Sequence, residues 1–318
     1  MNSKLIEGLN RVEFNSSGFK LVGNLYCPPP FGPDKKYSTL LVAGPMGTVK
    51  EQAAGTFCEK LSNKGYLTLT FDFRTQGESE GTPSNYENPF NKSEDIQNAI
   101  SYLCTLSCVN KDSIGTVGIC AGGSYVVHAS VSDRRVKALA TVNGFLSLRE
   151  FTGYNPVVTN EIRAYLLKRS NDDRQKFYET GISENADILM PEANSVEELK
   201  IEFAEEDKKD IFEYYYACVD TCWPNYSRNF ATMSYEALIK SHALDYAKDL
   251  AIPYLGVVGS EAFTKTYAER FILEMTHDNK QLAIIDAARH VPTYADDEYV
   301  DQAIDALEVF FSKKGVVN

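Results

Sequence analysis

The sequence predicts an α/β fold in which a mostly parallel sheet is flanked by helices and interrupted once by a helical insertion. Three observations carry this. Short apolar, β-branched runs alternate with helical stretches through residues 1–144, the same rhythm returns over 251–318, and buried-strand runs vanish in between. Strands separated by helices of this length form βαβ units, whose crossovers make the strands parallel. The organisation is therefore one core, 1–144 and 251–318, carrying a helical lid insertion over 145–250.

Residues 11–14 and 19–26 read as an antiparallel opening pair turned at Gly18. Residues 39–43 are an apolar run of the kind buried on both faces. A helix over 49–64 is ended by Gly65, which suits the left-handed position after a helix C-terminus. A second buried strand covers 66–73, a Gly- and Ser-rich loop 75–91, and a helix capped by Ser93 runs to about residue 108. Residues 114–119 and 136–142 are the third and fourth buried strands. In the insertion, helices are predicted over 161–168, 196–203 and 210–218, among the aromatics Tyr214, Tyr215, Tyr216, Trp223, Tyr226, Phe230 and Tyr235. These line an apolar pocket or form that subdomain's own small core. Strand 252–258, helix 266–275, strand 281–285 and helix 297–311 close the fold.

Composition bounds the chemistry. Of 318 residues, 43% are hydrophobic and 24% charged, the balance of an ordinary globular protein. A net charge of −12 argues against a general nucleic-acid binder, because phosphate contacts need clustered Lys and Arg, and against an anionic membrane as partner. The seven cysteines form no disulfide-like framework, and the N-terminus leads into charged residues without an apolar core. Both features predict a reducing, cytoplasmic setting. A homo-oligomer is compatible with all of this.

The most informative residues are Gly118-Ile119-Cys120-Ala121-Gly122-Gly123, between the strand 114–119 and a helix. They form a nucleophile elbow, G-x-S-x-G, with Cys in place of Ser. The sharp strand-to-helix turn strains the nucleophile's backbone, and small neighbours give it clearance. The helix aims its positive end at Cys120, which favours the thiolate, and the Ala121 amide faces a developing oxyanion. As an alternative, Cys120 is a small buried hydrophobe after a Gly-rich turn. The pairs Cys104/Cys108 and Cys218/Cys222 lack this context and read as packing residues; no nearby His supports a metal site.

A thiol nucleophile needs a base, and the chain has four histidines. His128 lies two turns into the elbow helix and points away from its tip, His242 falls in the insertion, and His277 precedes a strand in a polar turn. His290 follows the last strand, where an α/β-hydrolase fold carries its histidine, in the order nucleophile, acid, histidine. The acid is expected in Gly259-Ser260-Glu261-Ala262. Glu261 stands one place earlier than usual: either its longer side chain compensates, or it is a solvated loop charge. Asp286, Asp296 and, as a neutral partner, Asn143 are the alternatives. The second oxyanion donor comes from the loop after strand 39–43, where the Met46 amide points inward and Pro45 has none to offer.

With these residues in view, the chain resembles Cys-nucleophile α/β-hydrolases related to dienelactone hydrolases, in the branch that holds bacterial hydrolases and fungal polyketide transferases or thiohydrolases. The resemblance rests on Pro45-Met46-Gly47 with Val49-Lys50-Glu51-Gln52, Asp72 through Gln76-Gly77-Glu78-Ser79, the elbow, residues 229–234, Val258-Gly259-Ser260-Glu261-Ala262, and His290, in order along nearly the whole chain. It implies an α/β-hydrolase fold, no metal or organic cofactor, and a small-molecule ester, lactone or thioester as substrate. Asp72 and Arg74 are then structural braces. One departure is Gly44, where the family's oxyanion loop often carries His. The expected reaction is hydrolysis through a Cys120 acyl-enzyme with His290 and Glu261; acyl transfer from the same site, or ligand binding without catalysis, are the alternatives.

Overall fold

Strands buried on both faces run through the centre of the molecule, as their unbroken apolar sequences require. The computed structural model describes residues 5–150, 160–187, 204–215 and 223–314. Eight strands form one sheet in the order β1-β2-β4-β3-β5-β6-β9-β10. β1 (Gly8–Ser16) and β2 (Phe19–Cys27) are an antiparallel pair turned at Ser17 and Gly18, both with positive φ. β2 also runs antiparallel to β4 (Leu67–Phe71). From β4 the sheet is parallel through β3 (Tyr37–Ala43), β5 (Val109–Ile119), β6 (Val136–Val142), β9 (Tyr254–Gly259) and β10 (Lys280–Ile285). Every residue of β3, β4 and β9 is buried, which is what helices on both faces of a parallel sheet demand.

Those helices are α1 (Ala53–Asn63), α2 (Pro89–Leu103), α3 (Gly122–Ser130), α7 (Lys265–Glu274) and α9 (Asp297–Lys313), the last two following β9 and β10. Two boundaries differ from the sequence expectation. Residues 49–52 form a turn, with Val49 N donating to Gln52 Oε1 at 2.9 Å, and α1 begins only after it. α2 is capped by Asn88, whose Oδ1 accepts from Phe90 N and Asn91 N, with Pro89 as first helical residue; the expected cap, Ser93, lies inside the helix. Proline is favoured there because its missing N–H would lack a helical partner anyway.

Between β6 and β9 the described elements are α4 (Asn160–Thr180), α5 (Glu205–Tyr215), α6 (Tyr235–Leu238), two 3-10 turns, and β7 (Asn185–Asp187) paired with β8 (Asn229–Ala231) in a small antiparallel sheet. That pair had no sequence expectation. The expected helix 196–203, Tyr216, Cys218 and Cys222 lie outside the described residues. Asp173 of α4 ties the small sheet down, accepting from Glu184 N, Ser183 Oγ at 2.7 Å and Met233 N at 2.8 Å. A short helix α8 (Pro292–Ala295) follows β10 and precedes α9. No described helix is long and apolar enough to cross a membrane.

Candidate active site

The turn from β5 into α3 holds Cys120 at φ 53°, a conformation that an L-residue adopts only when its surroundings enforce it. Two glycines make room. A Cβ at Gly118 would lie 2.4 Å from the Gly122 carbonyl oxygen, and one at Gly122 would lie 2.3 Å from the Ala43 oxygen. The backbone of Cys120 is then fixed on both sides, its N–H donating to Val142 O at 3.0 Å and its carbonyl accepting from Phe145 N at 2.7 Å.

The structure brings Cys120 and His290 together. Cys120 Sγ lies 3.3 Å from His290 Nε2, with 8% of the cysteine and 2% of the histidine exposed. His290 arrives on the turn after β10, and Phe263 stacks against its ring at 4.3 Å between centroids. Asn143, at the end of β6, joins both arms of this corner: its Oδ1 accepts from Gly259 N and its Nδ2 donates to His290 O, each at 2.9 Å. It thus holds the histidine's backbone, and it does not orient the imidazole, contrary to one sequence alternative.

The atom facing the far side of the imidazole is Thr264 Oγ1, fully buried and 2.8 Å from His290 Nδ1. This corrects the expected acid. Glu261 is exposed, with its N–H bonded to Ala288 O and its carboxylate on the side of Arg289. Asp286 is exposed as well, and Asp296 caps α9 through Glu298 N. The longer glutamate side chain therefore does not bridge the one-residue offset. Threonine gave no warning in the sequence, since at a helix start it reads as an ordinary capping residue.

The two expected oxyanion donors, the backbone N–H groups of Ala121 and Met46, both point at the Cys120 sulfur. The Met46 loop is held by a buried carboxylate that sequence reasoning missed. Glu87 Oε2 accepts from Gly47 N at 3.3 Å, Gln76 Nε2 at 3.1 Å and Lys92 Nζ at 2.7 Å, while Oε1 accepts from Tyr125 Oη of α3 at 2.6 Å. One carboxylate thereby fixes the Met46 loop relative to α3. Asp72 braces the next turn as expected, accepting from Lys50 N and Nζ at 2.8 Å and from Glu78 N at 2.9 Å. Arg74 likewise braces its loop through Asp95, with Nε donating at 2.8 Å.

Electrostatics set the resting state. Burial pushes the Cys120 thiol up, to about 12; the Ala121 amide, the Tyr294 hydroxyl and the Met46 amide pull against it, and the Glu87 carboxylate pushes further up. Burial pushes His290 down, to about 3, and no described carboxylate opposes it. Burial thus works against the thiolate that the helix end favours, and pushes both groups toward their uncharged forms.

The remaining histidines are engaged elsewhere. His128 Nε2 is 3.0 Å from Ser241 Oγ, His242 Nδ1 2.6 Å from Ser147 Oγ, and His277 Nε2 2.9 Å from Leu250 O. The segment between β6 and β9 reaches the site through α5. Asp210 accepts from Arg289 Nε and Nη2, at 2.6 and 2.9 Å, and Tyr214 Oη accepts from Ala53 N at 3.1 Å. Among the described residues no cluster of His, Cys, Asp or Glu is placed to hold a metal ion.

Comparison with known proteins adds to this geometry. The sequence profile of the dienelactone hydrolase family matches residues 30–162. An uncharacterized protein of Escherichia coli, YcjY, is 33% identical over 96% of this chain and 98% of its own length. A thiohydrolase of Aspergillus aculeatus is 26% identical over 76% of this chain and 73% of its own. Among solved structures, a hypothetical protein of Pseudomonas aeruginosa superposes with a TM-score of 0.82 at 26% identity, covering 98% of this chain and 95% of that one.

Proposed function

We propose a cysteine acyl-enzyme mechanism from one premise: this chain belongs to the dienelactone hydrolase family of α/β-hydrolase enzymes, which cleave esters and thioesters or transfer their acyl groups. The observation that carries the proposal is the Cys120 sulfur placed 3.3 Å from His290 Nε2 and under two backbone amides.

With Nδ1–H donating to Thr264 Oγ1, the Nε2 lone pair faces the thiol, the tautomer a general base needs. As a substrate carbonyl enters, the thiol proton passes to Nε2, sulfur bonds to the carbonyl carbon, and the displaced π pair settles on oxygen. The amides of Ala121 and Met46 stabilise that oxygen; one such donor contributes about 3 kcal/mol. His290 returns its proton to the departing oxygen or sulfur, and water, deprotonated in turn by His290, releases the acid. Because burial favours the uncharged forms of both groups, proton transfer accompanies attack and no stored thiolate is needed. Thr264 fixes the ring without adding charge, so the imidazolium formed midway draws its stabilisation from the neighbouring anionic intermediate.

A thioester is the favoured substrate, on the analogy of the Aspergillus thiohydrolase, and the insertion is a lid over the acyl group, anchored by Asp210 on Arg289. Ligand binding without catalysis was kept open by the irregular position of the acid, and it stays open because Glu261 stands away from His290 and no described carboxylate replaces it; the catalytic reading uses the neutral Thr264 in the acid's place. Replacing Cys120 by Ala is expected to abolish turnover of a series of activated acyl esters and thioesters. Retained turnover would sink the assignment. Product analysis in the presence of competing alcohols and amines separates hydrolysis from transfer.

A further inference from the structure

Three tyrosines stand close to the nucleophile: Tyr294 on α8 and Tyr215 on α5, both buried, and the half-buried Tyr214 on α5. Tyr214 is committed, since its oxygen accepts from Ala53 N and fixes α5 against the start of α1. Tyr294 is different. It is 1% exposed, and its ring stands edge-on to the His290 imidazole (5.4 Å, 88°) and to Tyr214 (5.6 Å, 81°), which leaves the ring no freedom to swing away. Its hydroxyl faces the Cys120 sulfur and the Tyr215 hydroxyl, yet it makes no hydrogen bond of ordinary geometry with either.

A buried hydroxyl held only loosely, by a thiol and a second phenol outside ordinary hydrogen-bond geometry, is poorly satisfied in the resting protein, and such groups are rare outside sites where a better partner arrives later. A thiol is a poor acceptor; an alkoxide formed beside it is a strong one. Burial raises the Tyr294 phenol well above its ordinary range, so it stays protonated and remains a donor.

We infer that Tyr294 is a catalytic residue, the third hydrogen-bond donor to the oxyanion of the tetrahedral intermediate beside the Ala121 and Met46 amides. The inference rests on the acyl-enzyme reading above. In the step concerned, the Cys120 proton moves to His290 Nε2, the S–C bond forms, and the carbonyl π pair becomes the oxyanion lone pair. Tyr294 keeps its proton and turns its O–H from the sulfur to that oxygen. When the intermediate collapses, the C=O bond reforms as the bond to the leaving oxygen or sulfur breaks, that atom takes the proton from His290, and the hydroxyl swings back. A side-chain donor of this kind is set by an element outside both the elbow and the oxyanion loop, so the corner formed by His290 and α8 controls base and donor together.

The test uses the full-length protein, the best-turned-over activated ester of the series above, and two inhibitors: 1,1,1-trifluoro-2-hexanone, which forms a tetrahedral adduct with a nucleophile, and 2-hexanone, which does not. Tyr294→Phe is expected to lower kcat about 10²-fold with KM little changed. Affinity for the trifluoroketone should fall by a matching factor, while 2-hexanone binding stays the same. Wild-type values for Y294F, or a kcat loss without a parallel loss of trifluoroketone affinity, overturn the inference and leave the acyl-enzyme reading standing provided C120A is inactive. Turnover surviving in C120A removes both. If Y294F does not fold, 2,3-difluorotyrosine placed at position 294 keeps the shape and makes a stronger donor. It should tighten trifluoroketone binding, and unchanged or weaker binding contradicts the proposal.

Discussion

The two sides of His290 are built on different principles. On its Nε2 side, the elbow is dictated by sterics: Cys120 sits at φ 53°, and neither Gly118 nor Gly122 has space for a methyl group. On its Nδ1 side, the turn from β9 to α7 imposes no such constraint, and the group presented to the imidazole, Thr264 Oγ1, is one of several side chains that the backbone would accept. Backbone strain confines a position to one or two residue types and so marks the sequence. A hydrogen-bond partner can be traded for another of similar reach, and the trade leaves no mark.

The largest expected effect breaks the constrained side. In Gly122→Ala the new Cβ would be 2.3 Å from the Ala43 carbonyl oxygen, backbone against backbone, so β3 and α3 must part. We expect a loss of about 3 kcal/mol or more in denaturant unfolding, together with loss of activity. Unchanged stability would mean that the elbow is not held as described.

On the permissive side, Thr264→Val keeps shape and removes the partner of Nδ1. We expect kcat/KM to drop about 10²-fold with little change in melting temperature. Thr264→Asp sharpens the comparison by restoring a charge. An aspartate there would raise the His290 pKa from its burial-depressed value, so the acid limb of the pH–rate profile should move to higher pH than in the wild type. An acid limb that stays put would show that residue 264 does not address the imidazole.

A smaller effect comes from acid titration. Burial lowers His290 to about 3 and His128 to about 4, each from about 6.5 when unfolded. Between these values the unfolded chain binds more protons than the folded one, so stability is full above pH 6.5 and declines as the pH falls toward 3. His128→Asn should flatten the decline of denaturation midpoints over that window. An equally steep decline would assign it to other groups. The smallest effect is expected for Glu261→Gln. An exposed charge on the side of Arg289 should alter kcat/KM by no more than a factor of about two, and a larger loss would reinstate Glu261 as the acid.

The same distinction governs how much of the molecule was legible in its sequence. The core strands were readable because two-sided burial demands unbroken apolar runs, and the elbow because strain demands glycine. The start of α2 was written in Asn88-Pro89 but masked by the polar loop around it. β7 and β8 are three residues each, too short to show a period, and owe their pairing to Asp173 on α4. Thr264, Glu87 and Tyr294 were not legible as site residues. Each acts through one polar group whose meaning depends on a neighbour distant in the chain: His290, Gly47 and Cys120 respectively. The opposing influences on the Cys120 thiol divide in the same way, since the helix end that favours a thiolate is local and readable while the desolvation that opposes it comes from the whole surrounding packing.

The most direct test of the central claim is to quench the protein during turnover of an activated thioester and locate the acyl group by peptide mass spectrometry. The account predicts a single acylated residue, Cys120, in the wild type, an adduct that forms far more slowly when His290 is replaced, because His290 also takes the thiol proton during attack, and no adduct in Cys120→Ala. Acylation of another residue, or turnover by the C120A protein, would contradict it.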